Sequence, residues 1–198
     1  MADLIEEAGP YRLRPEPVKS PFQHLARAIL AQQISGRAAL TITARVITAC
    51  GLDPLATNEF PTPAQLLATS EASLRAAGVS RSKLLALQDL AQKTLQGLVP
   101  ESHALQTLDD DVIIQRLTVI RGVGPWTVQM MLIFQLGRPD VMAATDYGVR
   151  KGFKLWYRKR DLPSPQTLAN YAQRWAPYRS AACWYLWRAV ELRTQTDA

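Results

Sequence analysis

Cysteine and histidine are both scarce in this chain of 198 residues, at two apiece. Cys50 and Cys183 each lie inside an apolar, helix-like stretch, so neither a disulfide framework nor a cluster needing four thiolates can be built from them. A reducing compartment fits that usage. His24 and His103 stand far apart with no second ligand at metal-binding spacing, which makes each an ordinary histidine and leaves no zinc site to expect. Long apolar runs are missing too. No segment approaches the roughly 18 uninterrupted apolar residues of a membrane span, and the opening MADLIEEAG lacks a basic start followed by an apolar core. The chain is therefore expected to stay in the cytoplasm, away from membranes. Alternating β-branched runs joined by Asn-Gly or Asp-Gly turns are absent as well, so strands can be at most minor, with YRLRP near the N-terminus as the one candidate.

What is present reads as a bundle of short helices, an all-α fold. Start signals recur at Ser20 with Pro21, Thr62 with Pro63, Ser70 with Glu71, Ser80, Asp109, and Ser164 with Pro165. After Ser20, the residues Phe22, Leu25, Ala26, Ile29, Leu30 and Ile34 keep the three-and-four spacing of a helix with one buried face. A second helix buries Ala39, Ile42, Val46 and Ile47 and stops near Gly51. A third runs from Ser80 to Gly97, with Gly97 placed to end it in a left-handed conformation. A shorter one follows from about Asp109 to Ile120. No internal repeat occurs, and the seams fall in the Pro-rich stretch Pro10 to Pro21 and the loop Gly137 to Thr145. The formal charge of +6 favours a polyanionic partner without identifying one.

The segment LTVIRGVGPWTVQMMLIF joins two helical stretches through Gly122, Val123 and Gly124, with Pro125 at a first helical position. Two glycines admit backbone angles closed to other residues, and the N–H groups of the turn and of the next helix's first turn can then point outward at a phosphate oxygen. The plainer reading is a tight helix–helix turn in which the glycines serve geometry and Val123 plugs the core. From Pro125 to Leu136 a helix would span about 18 Å, after which GRPDVMAATDYGVRKGF returns the chain and offers Asp146 at the start of another helix. A phosphate grip and a carboxylate could thus share one cleft. Asp146 is equally well placed as the N-cap of that helix, and both roles are compatible. Asp140 reads as a turn or capping residue.

The stretch from Leu117 to Phe153, with Ile120, the GVG turn, Pro125, Trp126, Thr127 and Asp146, resembles the signature of the helix-hairpin-helix superfamily of DNA glycosylases. RWAPYRSAACWYLWR and PFQHLARAILAQQIS resemble the closing and opening helices of its 3-methyladenine DNA glycosylase II type. The likeness runs from about Pro21 to Arg188, and with only some 20 residues before Pro21 the chain looks like a compact form without the N-terminal α/β domain of longer relatives. It implies a two-lobed orthogonal bundle of about ten helices. One lobe would span 21–138 with the hairpin at about 118–135, the other 1–20 plus 139–198, with the active cleft between them.

The resemblance also implies roles. Asp146 matches the catalytic carboxylate. Trp126, Met130, Trp187 and Tyr147 would line the base pocket, Met130 standing where an aromatic is often found, while Trp175 and Trp184 belong to the core. Gly122, Val123, Gly124 and Thr127 would bind DNA. Gln33 would be the wedge filling the space of an everted base, its alternative being one of a pair of helix-surface amides. The carbonyls of Thr118, Ile120 and Val123 match those that can hold a structural Na⁺ or K⁺ ion; no other cofactor is expected. The implied activity is monofunctional: hydrolysis of the N-glycosidic bond of alkylated purines in double-stranded DNA during base excision repair, by a nucleoid-associated monomer. A carboxylate stabilises the oxocarbenium-like state and positions water, and a base alkylated at N3 or N7 is already cationic and leaves without a partner acid. Where strand-cleaving relatives carry a Schiff-base lysine this chain has Trp126, so no lyase step is expected. The rivals are a glycosylase for oxidised or deaminated bases and a non-catalytic hairpin module that only clamps DNA.

Overall fold

A computed structural model describes residues 1–16, 20–55 and 59–195. Among these the regular structure is wholly helical, with twelve α-helices and one short 3-10 turn. In chain order they are α1 (Ala2–Ala8), α2 (Pro21–Ala31), α3 (Gly36–Ala49), α4 (Pro63–Ala68), α5 (Glu71–Ala76) and α6 (Arg81–Leu95). There follow α7 (Ser102–Thr107), α8 (Asp110–Thr118), α9 (Pro125–Phe134), α10 (Tyr147–Trp156), α11 (Pro165–Ala172) and α12 (Arg179–Gln195). The all-α expectation holds, and YRLRP forms no strand within the described residues. Of the Pro-rich seam from Pro10 to Pro21, residues 17–19 lie outside the described residues.

The start signals act through the chemistry that made them legible. The side chains of Ser20, Thr62, Ser70, Ser80 and Ser164 accept the N–H of Gln23, Gln65, Ser73, Lys83 and Thr167, supplying a partner to an N–H that a helix's first turn otherwise lacks. Thr62 and Gln65 close a reciprocal capping box. Asp109 departs from the pattern: its side chain makes no cap bond, and Asp110 and Asp111 place negative charge at that helix end instead. Gly97 ends α6 at φ 74°, as its position predicts. Helix α9 stops at Phe134, short of the expected Leu136, because the chain leaves the four-residue bonding pattern there: Leu136 N–H bonds the Met131 carbonyl, five residues back, and Arg138 N–H that of Leu132, six back.

Two compact units result, Val18–Val128 and the two chain ends, Met1–Pro17 with Gln129–Ala198. The boundary falls inside α9, earlier than the Arg138 read from the sequence. The reason is local, for residues after Val128 on α9 bond within the terminal unit: Gln129 donates to the Met142 carbonyl, and the Phe134 carbonyl accepts Glu16 N–H. In the Val18–Val128 unit, α2 packs on α3 and α6 while α4 and α5 lie against α6, burying Leu25, Ile29, Leu30, Leu84, Leu87 and Leu90.

In the terminal unit α12 is central and packs on α1 and α10, covering Leu4, Val149, Phe153, Leu186 and Ala189. Helices α10 and α12 approach so closely at Gly152 that a Cβ there would lie 1.8 Å from the Leu186 carbonyl oxygen. Backbone cannot yield as a flexible side chain can. Gly152→Ala is therefore expected to destabilise by at least the roughly 1–3 kcal/mol typical of overpacking, seen as a lower urea midpoint at unchanged slope. A midpoint equal to wild type would show that the two helices do not meet this closely.

Candidate active site

Asp146 is the N-cap of α10, with φ −64° and ψ 127°, and its Oδ1 accepts the Val149 N–H at 2.7 Å. The capping role expected of it is thus real. The same oxygen also accepts the Trp187 indole N–H at 2.8 Å, from α12. Both side chains are half-buried. Gly148 makes this approach possible, since a Cβ on it would sit 2.8 Å from Trp187 Cδ1 and 3.1 Å from Asp146 Oδ1. Phe134 stacks on Trp187, with ring centroids 5.4 Å apart and an interplanar angle of 27°. A carboxylate, an indole that donates to it and a second ring on that indole therefore form one cluster.

Neither Phe134 nor Gly148 was singled out in the sequence. The signal for Phe134 was there: Trp126, Met130 and Phe134 recur at four-residue steps and so share one face of α9. Trp126 is 44% and Phe134 38% exposed, in a helix that otherwise buries Val128, Met131, Leu132 and Ile133. Tyr147, beside the carboxylate in sequence, is 65% exposed. Trp175 packs edge-on against Phe153 and Tyr171, and Trp184 against Tyr11 and Tyr185, in keeping with core roles. Cys183 is buried, which pushes its thiol up to about 12, with the nearby Asp146 charge adding to the rise; it stays a neutral, unreactive thiol.

In the other unit, α8 and α9 form the hairpin. Only Gly122 has a left-handed backbone, φ 77°, and a Cβ on it would crowd Ala86 at 3.1 Å. Gly124 corrects the expectation that both glycines adopt angles closed to other residues: its φ is not positive, and a Cβ there would meet nothing within 4 Å. Its value is open space above the turn. Val123 and Thr127 turn their side chains inward, at 4% and 6% exposure, because Val123 fills the core as the plainer reading held. Its N–H is engaged by the Ile120 carbonyl.

Three side chains from elsewhere hold the hairpin. Gln32 donates to the Gly122 carbonyl at 2.8 Å. From α6, Asp89 accepts the Arg121 N–H at 2.7 Å, and Lys93 donates to both Asp89 and the Val119 carbonyl at 2.7 Å. Burial pushes the Asp89 carboxyl up, but the Arg121 N–H and the Lys93 ammonium outweigh it and leave it below its ordinary value. Neither Gln32 nor Gln33 is a helix-surface amide. Gln32 follows the end of α2, and Gln33 is exposed in the turn at φ 59°, a left-handed conformation that few non-glycine residues adopt. Lys83 caps the preceding turn through the Leu30 carbonyl. Gln33 thus stands on a turn braced at Leu30 by Lys83 and, through Gln32, at the hairpin.

A carboxylate whose folded value lies below its unfolded one near 3.9 stabilises above that pH, and the contribution disappears as pH falls through the folded value. Asp89→Asn is accordingly expected to unfold at lower urea than wild type at pH 7, with the gap closing below about pH 4. A gap that is the same at pH 7 and pH 3 would contradict the clamp.

Comparison with known proteins places this geometry. Residues 26–177 match the family described as HhH-GPD superfamily base excision DNA repair protein. The chain is 35% identical over 194 residues to DNA-3-methyladenine glycosylase 1 of Schizosaccharomyces pombe, covering 98% of this chain and 83% of that one. It is 32% identical over 171 residues to DNA-3-methyladenine glycosylase 2 of Escherichia coli, covering 84% and 56%. A solved structure of the S. pombe 3-methyladenine DNA glycosylase in complex with abasic DNA superposes with a TM-score of 0.81 at 35% identity, over 94% of this chain and 89% of that one.

Proposed function

The chain belongs to the HhH-GPD superfamily of base excision DNA repair proteins, and from that premise we propose that it is a monofunctional DNA glycosylase releasing alkylated purines of the 3-methyladenine and 7-methylguanine type from duplex DNA. The observation that carries the reading is the Asp146 carboxylate held by the indole of Trp187, Asp146 being the residue to which the resemblance assigns the catalytic role. The relatives named for 3-methyladenine chemistry support the substrate class.

Each group has a task in this chemistry. Asp146 stabilises positive charge developing on the deoxyribose and orients the attacking water. An alkylated purine leaves as a neutral base and needs no acid from the protein. In the terminal unit half-buried Trp187, with Tyr147 and Met130, would receive the everted base, its cationic ring drawn to the ring faces. Gln33 would occupy the vacated stack. Gly122, Gly124 and the start of α9 would approach phosphate through main-chain N–H groups. The carbonyls of Thr118, Ile120 and Val123 are hard oxygen donors suited to Na⁺ or K⁺, and the Ile120 oxygen keeps a second lone pair beside the Val123 N–H it accepts; a bound ion would add positive charge facing a phosphate. With Trp126 in place of a nucleophilic lysine, the product would be an intact abasic strand.

The deciding measurement is release of free base from methylated duplex DNA. Asp146→Asn is expected to lower it by roughly 100-fold or more while duplex binding persists and weakens with salt as in wild type. Unchanged release in that variant would remove Asp146 from the chemistry; no release by wild type from methylated, deaminated or oxidised DNA would leave only a DNA clamp. Borohydride added during turnover is expected to trap no protein–DNA adduct, and a trapped adduct would reveal a lyase step.

A further inference from the structure

Helix α12 presents Arg179, Cys183 and Trp187 at four-residue steps, hence along one face. The loop between α9 and α10, residues 135–146, meets that face point by point. The Arg179 guanidinium grips Asp140 as a fork, Nε to Oδ1 at 2.7 Å and Nη2 to Oδ2 at 2.9 Å, and the Arg179 N–H reaches Oδ1 at 3.3 Å. Ser180 is buried beside it. Its N–H donates to the Pro139 carbonyl at 3.0 Å, its hydroxyl donates to the Arg138 carbonyl at 2.6 Å, and that hydroxyl accepts the Val141 N–H at 3.0 Å. Further along, Cys183 Sγ lies 3.7 Å from both the Val141 carbonyl and the Met142 sulfur. At the far end the Trp187 indole reaches Asp146.

The chemistry assigned above gives Arg179, Ser180 and Asp140 no task. We propose that Arg179 and Asp140 are a positioning pair for Asp146: they fasten the start of the catalytic loop to α12, so that the rigid helix sets where the carboxylate stands about 12 Å further along its axis. The inference rests on Asp146 being the catalytic carboxylate. A segment without regular structure has no internal ladder to fix it, and its course is set by what ties it down. The pair has the two-pronged form that constrains direction as well as distance, and both side chains are about three-quarters buried, at 25% and 30% exposure. The Arg179 fork also holds the Asp140 carboxyl below its ordinary value, so the tether persists wherever base release is assayed near neutral pH.

Arg179→Lys, which keeps the charge and loses the fork, and Asp140→Asn, which keeps the shape and loses the charge, test this in the full chain at a temperature where circular dichroism shows both folded. Asp146→Asn and Trp187→Phe serve as references. Three quantities are read: the single-turnover rate of base release from duplex DNA carrying 7-methylguanine, the affinity for an abasic duplex, and the ¹⁵N–¹H resonance of the Trp187 indole, assigned by its loss in Trp187→Phe. Both variants are expected to release base about tenfold to a hundredfold more slowly, with affinity within about twofold of wild type and the indole resonance moved toward its position in Asp146→Asn. The double variant should lose no more than the worse single one. Wild-type rates, or slowed release with an unmoved indole resonance, would overturn the proposal. Should Asp146→Asn itself retain base release, the catalytic reading fails, while the indole resonance still reports whether the tether positions that side chain.

Discussion

The hydrogen bond from the Trp187 indole to Asp146 joins two residues that the chain brings together only by folding, and much of the terminal unit is arranged around it. For the indole to arrive, the start of α10 must offer no side chain at Gly148, and α10 must lie close enough to α12 that Gly152 faces backbone. Phe134 then limits the tilt of the indole by stacking on it. Asp146 answers two demands with one oxygen. It caps a helix through the Val149 N–H, and it is oriented by the indole. A carboxylate held by two donors keeps its direction, which the role proposed for it, stabilising charge at a fixed point, requires.

The hairpin in the other unit follows a different physical logic. Its turn is short and carries one left-handed glycine, and its inward residue, Val123, anchors it as any core side chain would. What distinguishes it from an ordinary turn is the set of side chains that reach its backbone from outside. Asp89 and Lys93 form an i, i+4 pair on α6 that would count for little if it were solvated. By taking the Arg121 N–H and the Val119 carbonyl, the pair becomes part of the turn. Gln32 does the same from the end of α2, and its neighbour Gln33 sits on a left-handed turn that this bond helps to fix. Local strain and tethering coincide at this turn.

Family membership and geometry meet at these two places. A relative named for 3-methyladenine chemistry matches nearly the whole chain, and the span matched by the family, residues 26–177, contains both the hairpin and the loop bearing Asp146. On α9 Met130 stands between Trp126 and Phe134, both partly exposed, and Tyr147 at the start of α10 is largely exposed.

Helix identity, most caps and the family signature were legible in the chain alone because they depend on local spacing. A serine three residues before an N–H, an apolar residue every third or fourth position and a glycine at a helix end all act within one or two turns. The capping role of Asp146 could be read there too. Position 134 was marked by its period and Gly148 by nothing, since a glycine required by an indole from α12 carries no local sign. The fork of Arg179 on Asp140, the inward turn of Thr127, the left-handed Gln33 and the place of the unit boundary belong equally to tertiary structure. Each depends on which distant backbone or side chain lies within hydrogen-bonding or van der Waals reach, and those distances come into being only when the helices pack.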